Sequence, residues 1–198
     1  ESRWLLNVAY MALGEYPAGV PAEWLVPPKV FESDEEFPRF VNIAAELDVD
    51  TFSLSGGSIV DDFDDDGLHD IVVSSTHPGE QMRYYPNDGD GRFSDRTERA
   101  GLVGLTGGLN MIQADYDNDG DVDILVLRGA WMDEVGRGYP NSLLRNDGQG
   151  NFRDVTFDAG LGEEHYPTQT AAWADFDNDG DLDLYVGTEQ SPSQLFEN

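Results

Sequence analysis

Short apolar runs alternate with stretches rich in aspartate and glycine over most of the chain after residue 50. The clearest runs are residues 71–73, 124–127 and 184–186, and each directly follows an acidic loop. Runs of three or four aliphatic residues, bounded by turn residues, are typical of buried strands rather than of helices. The pattern therefore predicts a mainly β chain made of short strands.

Each apolar run belongs to a larger unit that repeats. The acidic loops begin at Asp62, Asp115 and Asp175, so the units recur after 53 and then 60 residues. Periods of this size are typical of propeller blades, solenoids and arrays. Other repeated positions are residues 84–95 and 143–154, Ala-Gly-Leu at 100–102 and 159–161, and the start of a third copy at 195–198.

Four short strands are predicted in each unit. The first precedes the acidic loop, the second is the apolar run, the third ends at an Asn-Asp-Gly turn, and the fourth is centred on Phe93 or Phe152. Four antiparallel strands per repeat form the blade of a β-propeller. The sequence thus predicts a partial propeller of about three blades, at residues 52–104, 105–164 and 165–198, the last one incomplete.

The first fifty residues lack this pattern and are predicted to form a separate helical and extended segment. A helix is expected from Ser2 to about Leu13, with Gly14 as its stop. Residues 20–28 are broken by prolines and should be extended, and spacing compatible with a helix returns over residues 37–47. The apolar residues of the first helix would share one face: Trp4, Leu5, Val8, Met11 and Ala12.

The acidic loops carry the clearest chemistry in the chain. Each has the form Asp-x-Asp-x-Asp-Gly-x-x-Asp, which places four carboxylates within nine residues. Such carboxylates repel one another unless a cation lies among them, and oxygen ligands at alternate positions with a glycine turn suit Ca²⁺. We expect side-chain ligands at loop positions 1, 3, 5 and 9 and a backbone carbonyl ligand at position 7. The predicted calcium ligands, for about three ions, are Asp62, Asp64, Asp66, Leu68 and Asp70; Asp115, Asp117, Asp119, Asp121 and Asp123; and Asp175, Asp177, Asp179, Asp181 and Asp183.

These loops have three alternative interpretations. An EF-hand needs a glutamate at position 12, and this chain has Val73, Val126 and Val186 there, inside the predicted strands. Mg²⁺ fits less well because it demands tight octahedral geometry and keeps its waters. The remaining alternative is that the loops are acidic surface turns held by hydrogen bonds from aspartate side chains to backbone N–H groups.

The acidic loops and the Asn-x-Gly-x-Gly-x-Phe segments together resemble the FG-GAP/VCBS repeat family, the calcium-binding blades of integrin-α-like β-propellers. The resemblance covers about residues 52–198 and implies that each loop lies between the first two strands of a blade and binds Ca²⁺ structurally. The segment at 154–161 looks most like bacterial members related to the cartilage-acidic-protein and ASPIC/UnbV group. Propellers have about four to eight blades, so we expect a fragment of a longer propeller, or blades that assemble with other copies. The first helix is similar to the last helix of a TPR-like region in some bacterial relatives; a helix that caps the propeller is the alternative.

Charge and composition limit the partners and the location. The formal net charge is −29, from 40 acidic and 11 basic residues, and such a surface repels nucleic acid and anionic membranes. No apolar run approaches the roughly 20 residues of a membrane span. The chain has no cysteine. Weak, all-aspartate calcium sites suit the millimolar Ca²⁺ outside cells, which favours an extracellular, periplasmic or cell-surface location.

No catalytic constellation is predicted. His69, His77 and His165 do not recur between units and have no partners with the spacing of a catalytic triad. The insertion at residues 129–141, with Trp131 and Tyr139, is the preferred region for contact with a protein or glycan partner. The sequence favours a non-catalytic, calcium-stabilised interaction or adhesion scaffold. The alternatives are a part of a larger carbohydrate-active or phospholipase-type enzyme, and a structural subunit that self-associates through open blade edges.

Overall fold

A computed structural model of the chain describes residues 2–32, 38, 40–129, 139–163 and 165–198. The chain divides into two compact units, Glu1–Asn42 and Ile43–Asn198. The predicted boundary at residue 50 lies inside the second unit.

The first unit is built on helix α1, Ser2–Ala12. The helix ends where predicted, at Gly14, which has a φ of 72° and donates to the carbonyl of Met11. The buried residue of the helix is Asn7, whose side chain donates to the carbonyl of Trp24 at 2.8 Å and accepts from the N–H of Val26 at 2.9 Å. An amide buried in this way satisfies the polar backbone of the extended segment that packs beside it.

Two N-terminal predictions differ from the structure. The predicted apolar face of α1 is largely exposed, with Trp4 and Leu5 exposed by 55 and 60 %, because Asn7 is the residue that packs inward. The predicted helix over 37–47 is wrong for the residues described. A single 3₁₀ turn, Ala44–Glu46, forms there, and Asp48 follows it in the left-handed region, which ends the turn. Residues 37 and 39 lie outside the described part of the chain.

The described residues of the second unit form three antiparallel sheets, one for each predicted blade. The strand orders are β1-β2-β3, β4-β5-β6-β7 and β10-β9-β8. The first sheet contains β1 Ser55–Asp61, β2 Asp70–Ser75 and β3 Arg83–Tyr85. The second contains β4 Asn110–Ala114, β5 Asp123–Leu127, β6 Ser142–Asn146 and β7 Phe152–Asp154, and the third contains β8 Thr168–Ala174, β9 Asp183–Thr188 and β10 Gln194–Phe196.

The mainly β fold class is confirmed, and the strand number differs in one blade. The second blade has all four predicted strands. In the first blade the fourth strand is reduced to a single bridge between Asn87 and Phe93. The reason is local. The backbone N–H of Asp88 donates to the carbonyl of Arg92, and this bond closes a tight turn in place of a longer ladder.

Strand β5 explains why the repeat packs as a row of blades. Its five residues are all buried, and alternate residues of a strand point to opposite faces. Ile124 and Val126 therefore belong to the apolar cluster shared with the first blade, whereas Leu125 and Leu127 belong to the cluster shared with the third. The middle blade is covered on both faces.

The first strands of neighbouring blades approach closely at glycines. Strand β1 contacts β4, and β4 contacts β8. A Cβ atom on Gly56 would lie 2.2 Å from the carbonyl oxygen of Gly108, and one on Gly57 would lie 2.6 Å from the backbone nitrogen of Met111. Glycine at these positions therefore permits a backbone approach that a Cβ atom would obstruct.

Candidate metal centre

Each acidic loop joins the first and second strands of its sheet, as the resemblance implies. The turn is tight because position 4 lies in the left-handed region, with φ of 57° at Asp65, 58° at Asn118 and 64° at Asn178. Aspartate and asparagine tolerate this region better than other non-glycine residues. The glycine at position 6 also has a positive φ in all three loops, between 85° at Gly67 and 104° at Gly180.

Hydrogen bonds from aspartate side chains to the backbone hold every loop in the same conformation. The position 1 carboxylate accepts from the glycine N–H, over 2.9 Å for Asp62, 3.1 Å for Asp115 and 3.2 Å for Asp175. The position 5 carboxylate accepts from the N–H of position 7, over 2.8, 3.1 and 3.0 Å in loops one to three. The aspartate-turn interpretation is therefore correct for these carboxylates. Asp62 and Asp175 use both oxygens in this way, because their Oδ1 atoms also accept from the N–H of position 5, over 3.2 and 3.1 Å. For Asp66, Asp115, Asp119 and Asp179 the bonds above use one oxygen.

The loops bring three carboxylates together in each blade. One oxygen from each lies within 4.8 Å of the others in the following groups: Asp62, Asp64 and Asp66; Asp115, Asp117 and Asp123; Asp175, Asp177 and Asp183. The groups contain positions 1, 3 and 5 in loop one and positions 1, 3 and 9 in loops two and three. The fourth predicted side chain of each loop, Asp70, Asp119 or Asp179, is not in its group.

Two carboxylate oxygens in these groups have the environment that a bound cation would satisfy. The Oδ1 atoms of Asp64 and Asp115 are buried and have no hydrogen-bond partner among the described residues. A buried anionic oxygen without a partner is costly, and a bound cation removes that cost. Burial, and then the charges of Asp70, Asp66 and Asp62, raise the pKa of Asp64 above its usual value. Hard oxygen donors at this spacing match the ligands that Ca²⁺ takes.

The position 9 aspartates are the most deeply buried acids of the site, at 0 % exposed for Asp70, 1 % for Asp123 and 2 % for Asp183. One oxygen of each accepts from the backbone N–H of position 2, over 3.2, 3.3 and 3.0 Å. In loop one, Tyr84 also donates to this same oxygen, Oδ2 of Asp70, over 2.8 Å. Burial raises the pKa of Asp123 to about 7.

An asparagine recurs after the third strand of each blade, at Asn87, Asn146 and Asn198. Each one binds the other carboxylate oxygen of the position 9 aspartate. Their backbone N–H groups donate to Oδ1 of Asp70, Asp123 and Asp183 over 2.8, 2.8 and 3.0 Å. The side-chain amides reach the preceding blade: Asn146 donates to the carbonyl of Phe63 over 2.9 Å, and Asn198 donates to the carbonyl of Tyr116 over 2.8 Å. Sequence reasoning treated these asparagines as turn residues and missed this function, although their recurrence after each third strand was the signal.

Neighbouring loops also contact each other directly. Asn118, at position 4 of loop two, donates to Oδ1 of Asp181 in loop three over 2.8 Å. At the equivalent place between loops one and two, Asp65 faces Asp121. Burial, followed by the charges of Asp119 and Asp65, raises the pKa of Asp121.

The other residues of interest lie away from the acidic groups. His69, His77 and His165 are exposed. Tyr84 and Tyr85 are buried in the core. Tyr139 of the insertion is 41 % exposed, and Trp131 lies outside the described residues. None of the helices in the described part of the chain has the length and hydrophobicity that crossing a bilayer requires.

Comparison with known proteins agrees with the repeat. A family model for FG-GAP-like repeats matches residues 62–126 and 131–186, which include all three acidic loops. Cartilage acidic protein 1 is 37 % identical to this chain over 57 residues in Mus musculus and in Homo sapiens, and 35 % identical over 57 residues in Xenopus tropicalis. The match covers 29 % of this chain and spans 9 % of the length of these relatives.

These matches define the family and leave its subdivision open. The narrower placement among bacterial members of the ASPIC/UnbV type stays a prediction. The family model covers more than half of the chain and includes the three acidic loops together with strands β2 to β4 and β6 to β8. The chain belongs to the FG-GAP-like repeat family.

Proposed function

We propose that this chain is a calcium-stabilised, non-catalytic interaction scaffold that works outside the cytoplasm. The observation that carries the proposal is the threefold recurrence of a loop in which three carboxylates converge. In two of these loops, one carboxylate oxygen is buried and has no hydrogen-bond partner among the described residues. FG-GAP-like repeats typically bind Ca²⁺ and are commonly found in extracellular interaction domains, which supports the same function.

Each loop would hold one ion through residues that the turn already positions. Positions 1 and 3 belong to the converging group in every loop, and they supply side-chain oxygens together with positions 5 and 9. The backbone carbonyls of Leu68, Asp121 and Asp181 at position 7 complete the proposed ligand set. The ion neutralises the carboxylates and fixes the hairpin between the first two strands. Because the unfolded chain has no such site, the binding free energy becomes folding free energy.

The scaffold function follows from the rigid frame and from the exposed surface it presents. Three cation-bound loops lie between strands whose apolar faces are buried between blades. The insertion at 129–141, where Tyr139 is exposed, is the proposed contact region for a protein or glycan partner. Weak all-aspartate sites are filled at the millimolar Ca²⁺ found outside cells.

Removing a position 3 or position 5 carboxylate tests the ligand assignment. Asp64→Ala is expected to lower the melting temperature in Ca²⁺ and to leave it unchanged or raised in EGTA, because the ion-free loop loses a repelling charge. Asp119→Ala also removes the acceptor for the N–H of Asp121, so it should cost some stability in EGTA and more in Ca²⁺. Glu98→Gln, which removes one exposed charge outside the loops, is the matched control and should shift neither melt. Equal losses of stability in Ca²⁺ and in EGTA would contradict the assignment.

A further inference from the structure

Loop two differs from the other acidic loops because a basic side chain reaches one of its carboxylates. The Nη1 atom of Arg145, on β6, lies 3.7 Å from Oδ2 of Asp117 at loop position 3. Among the described residues, no other ion pair involves a carboxylate at positions 1 to 9 of an acidic loop. Asp117 belongs to the converging group of this loop, together with Asp115 and Asp123. A positive charge therefore lies beside the proposed cation site of the second blade.

The first blade shows that the repeat does not require this arginine. One repeat earlier, the position of Arg145 is occupied by Pro86, which carries no charge. Arg96 lines a small cavity beside Asp64 of loop one, but its guanidinium donates to Asp88, outside the loop, over 2.7 Å. The direct contact between an arginine and a loop carboxylate is thus a property of loop two.

A second arginine lies next to Arg145 and has a different partner. The two strands β6 and β7 place Arg145 directly opposite Arg153. Like charges at such a cross-strand pair destabilise a sheet. The Nη2 atom of Arg153 lies 3.0 Å from Oδ2 of Asp158, which is outside the acidic loops. Arg153 therefore carries the same charge on the same pair of strands without contacting a proposed ligand.

The charge of Arg145 acts in opposite directions on the empty and the filled site. Burial, and then the charge of Asp119, raise the pKa of Asp117, and the charge of Arg145 opposes this rise. In the empty loop, the guanidinium thus offsets part of the repulsion between the carboxylates. In the filled loop, it is a like charge beside the cation and an alternative partner for a ligand oxygen. It stabilises the empty site relative to the filled one, which lowers the affinity for a cation.

We propose that Arg145 is a tethered competitor that makes loop two the weakest of the three cation sites, so that it is the first to empty when Ca²⁺ falls. This inference rests on the proposed calcium function and adds a regulation to it. The side chains of Arg145 and Asp117 are 53 and 26 % exposed, so the guanidinium has room to move into solvent when a cation binds. The middle blade then responds to a change in Ca²⁺ that leaves the sites of its two neighbours filled.

A site-resolved titration tests the order of the three affinities. Gly67, Gly120 and Gly180 each donate their backbone N–H to the position 1 carboxylate of their own loop, so their amide signals report the three sites separately. The full chain with isotope-labelled glycine is followed by two-dimensional NMR while free Ca²⁺ is raised with chelator buffers. The Gly120 signal should respond at the highest Ca²⁺ concentration of the three.

Charge variants test whether Arg145 sets this order. Arg145→Gln should move the Gly120 midpoint to about three- to tenfold lower Ca²⁺, the range expected for one exposed charge beside a divalent ion. Arg145→Lys keeps the charge and should retain the parent midpoint. Arg153→Gln is the matched control and should leave the midpoint in place. A Gly120 signal that responds with or before the other two, or a midpoint that Arg145→Gln does not change, would overturn the proposal. No Ca²⁺ response from any of the three glycine signals would instead overturn the proposed function on which it rests.

Thermal melts separate competition from a purely structural role of the arginine. Competition predicts that the rise in melting temperature between EGTA and millimolar Ca²⁺ is larger in Arg145→Gln than in the parent chain. An arginine that only braced the loop would be missed equally in both conditions. Equal losses in EGTA and in Ca²⁺ would therefore overturn the proposal.

Discussion

At the scale of single residues, the acidic loops combine two uses of the same side chains. In Asp115, one oxygen accepts from the N–H of Gly120 and sets the turn, and the other is buried without a hydrogen-bond partner among the described residues. The turn and the converging oxygens thus come from the same residues, and burial, followed by the charges of the neighbouring carboxylates, raises the pKa of Asp64. Pre-formed oxygen groups of this kind bind cations without much loss of conformational entropy.

Asn146 links the site to the blade before it, and its loss should be costly. Asn146→Ala leaves the buried carbonyls of Phe63 and Val122 without their donor, which is expected to lower the free energy of unfolding by about 1–3 kcal/mol. The loss should be the same in Ca²⁺ and in EGTA, because the link is not a ligand. Asn198→Ala removes the equivalent donor at an exposed position and should cost less. Denaturant titration of both variants measures the difference, and equal costs would contradict the expected dependence of the link's contribution on burial.

At the scale of elements, the close approach of β1 to β4 depends on glycine. Gly56→Ala would place a Cβ atom 2.2 Å from the carbonyl oxygen of Gly108 and 2.6 Å from Oγ of Ser74. Overpacking at a backbone contact is expected to cost more than the roughly 1–3 kcal/mol seen in side-chain cores. Gly79→Ala, whose nearest new contact is a histidine side chain at 3.3 Å, is the control. Equal melting temperatures for the two variants would show that the strands adjust to the added methyl group without loss of stability.

The strands and the turns were predictable from the sequence to different degrees. The apolar runs fixed β2, β5 and β9, because a buried run between turn residues has few alternatives. The fourth strand of the first blade was not predictable, since it depends on whether the 87–93 turn closes on itself. The exposed face of α1 was also missed, because periodicity identifies an apolar face and does not reveal that Asn7 is the residue that packs.

The site itself was predictable in position and less so in detail. Nine of the twelve carboxylates expected to converge do so, because the spacing of aspartates around a glycine dictates the turn. The sequence could not show that Asp70 satisfies its oxygens with Tyr84 and backbone N–H groups, since those partners come from distant strands. The hydrogen bonds from the side chains of Asn146 and Asn198 to the preceding blade depend on how the blades pack. The spacing of the loops in the sequence does not determine that packing.

At the scale of the whole molecule, burial of the loop acids predicts that, without calcium, the stability of the protein falls as the pH rises. Burial raises the pKa of Asp123 from the usual aspartate value of 3.8 to about 7. The folded state therefore binds more protons than the unfolded state between about pH 4 and 7, and the stability of the ion-free protein should fall as the pH rises through this range. Melts in EGTA at pH 5 and 7.5 should show the higher melting temperature at pH 5. Because Ca²⁺ competes with these protons, millimolar Ca²⁺ should stabilise the protein much more at pH 7.5 than at pH 5. A Ca²⁺ effect that does not depend on pH would contradict this origin of the coupling.

The measurement that tests the central claim most directly is a calorimetric Ca²⁺ titration combined with thermal melts in EGTA and in millimolar Ca²⁺. The account predicts about three bound ions per chain, a large rise in melting temperature and little gain from Mg²⁺, because each loop is a pre-formed set of hard oxygen ligands that the ion neutralises. No binding and no stabilisation would contradict it, and the acidic loops would then be solvated turns that define the hairpins without a metal.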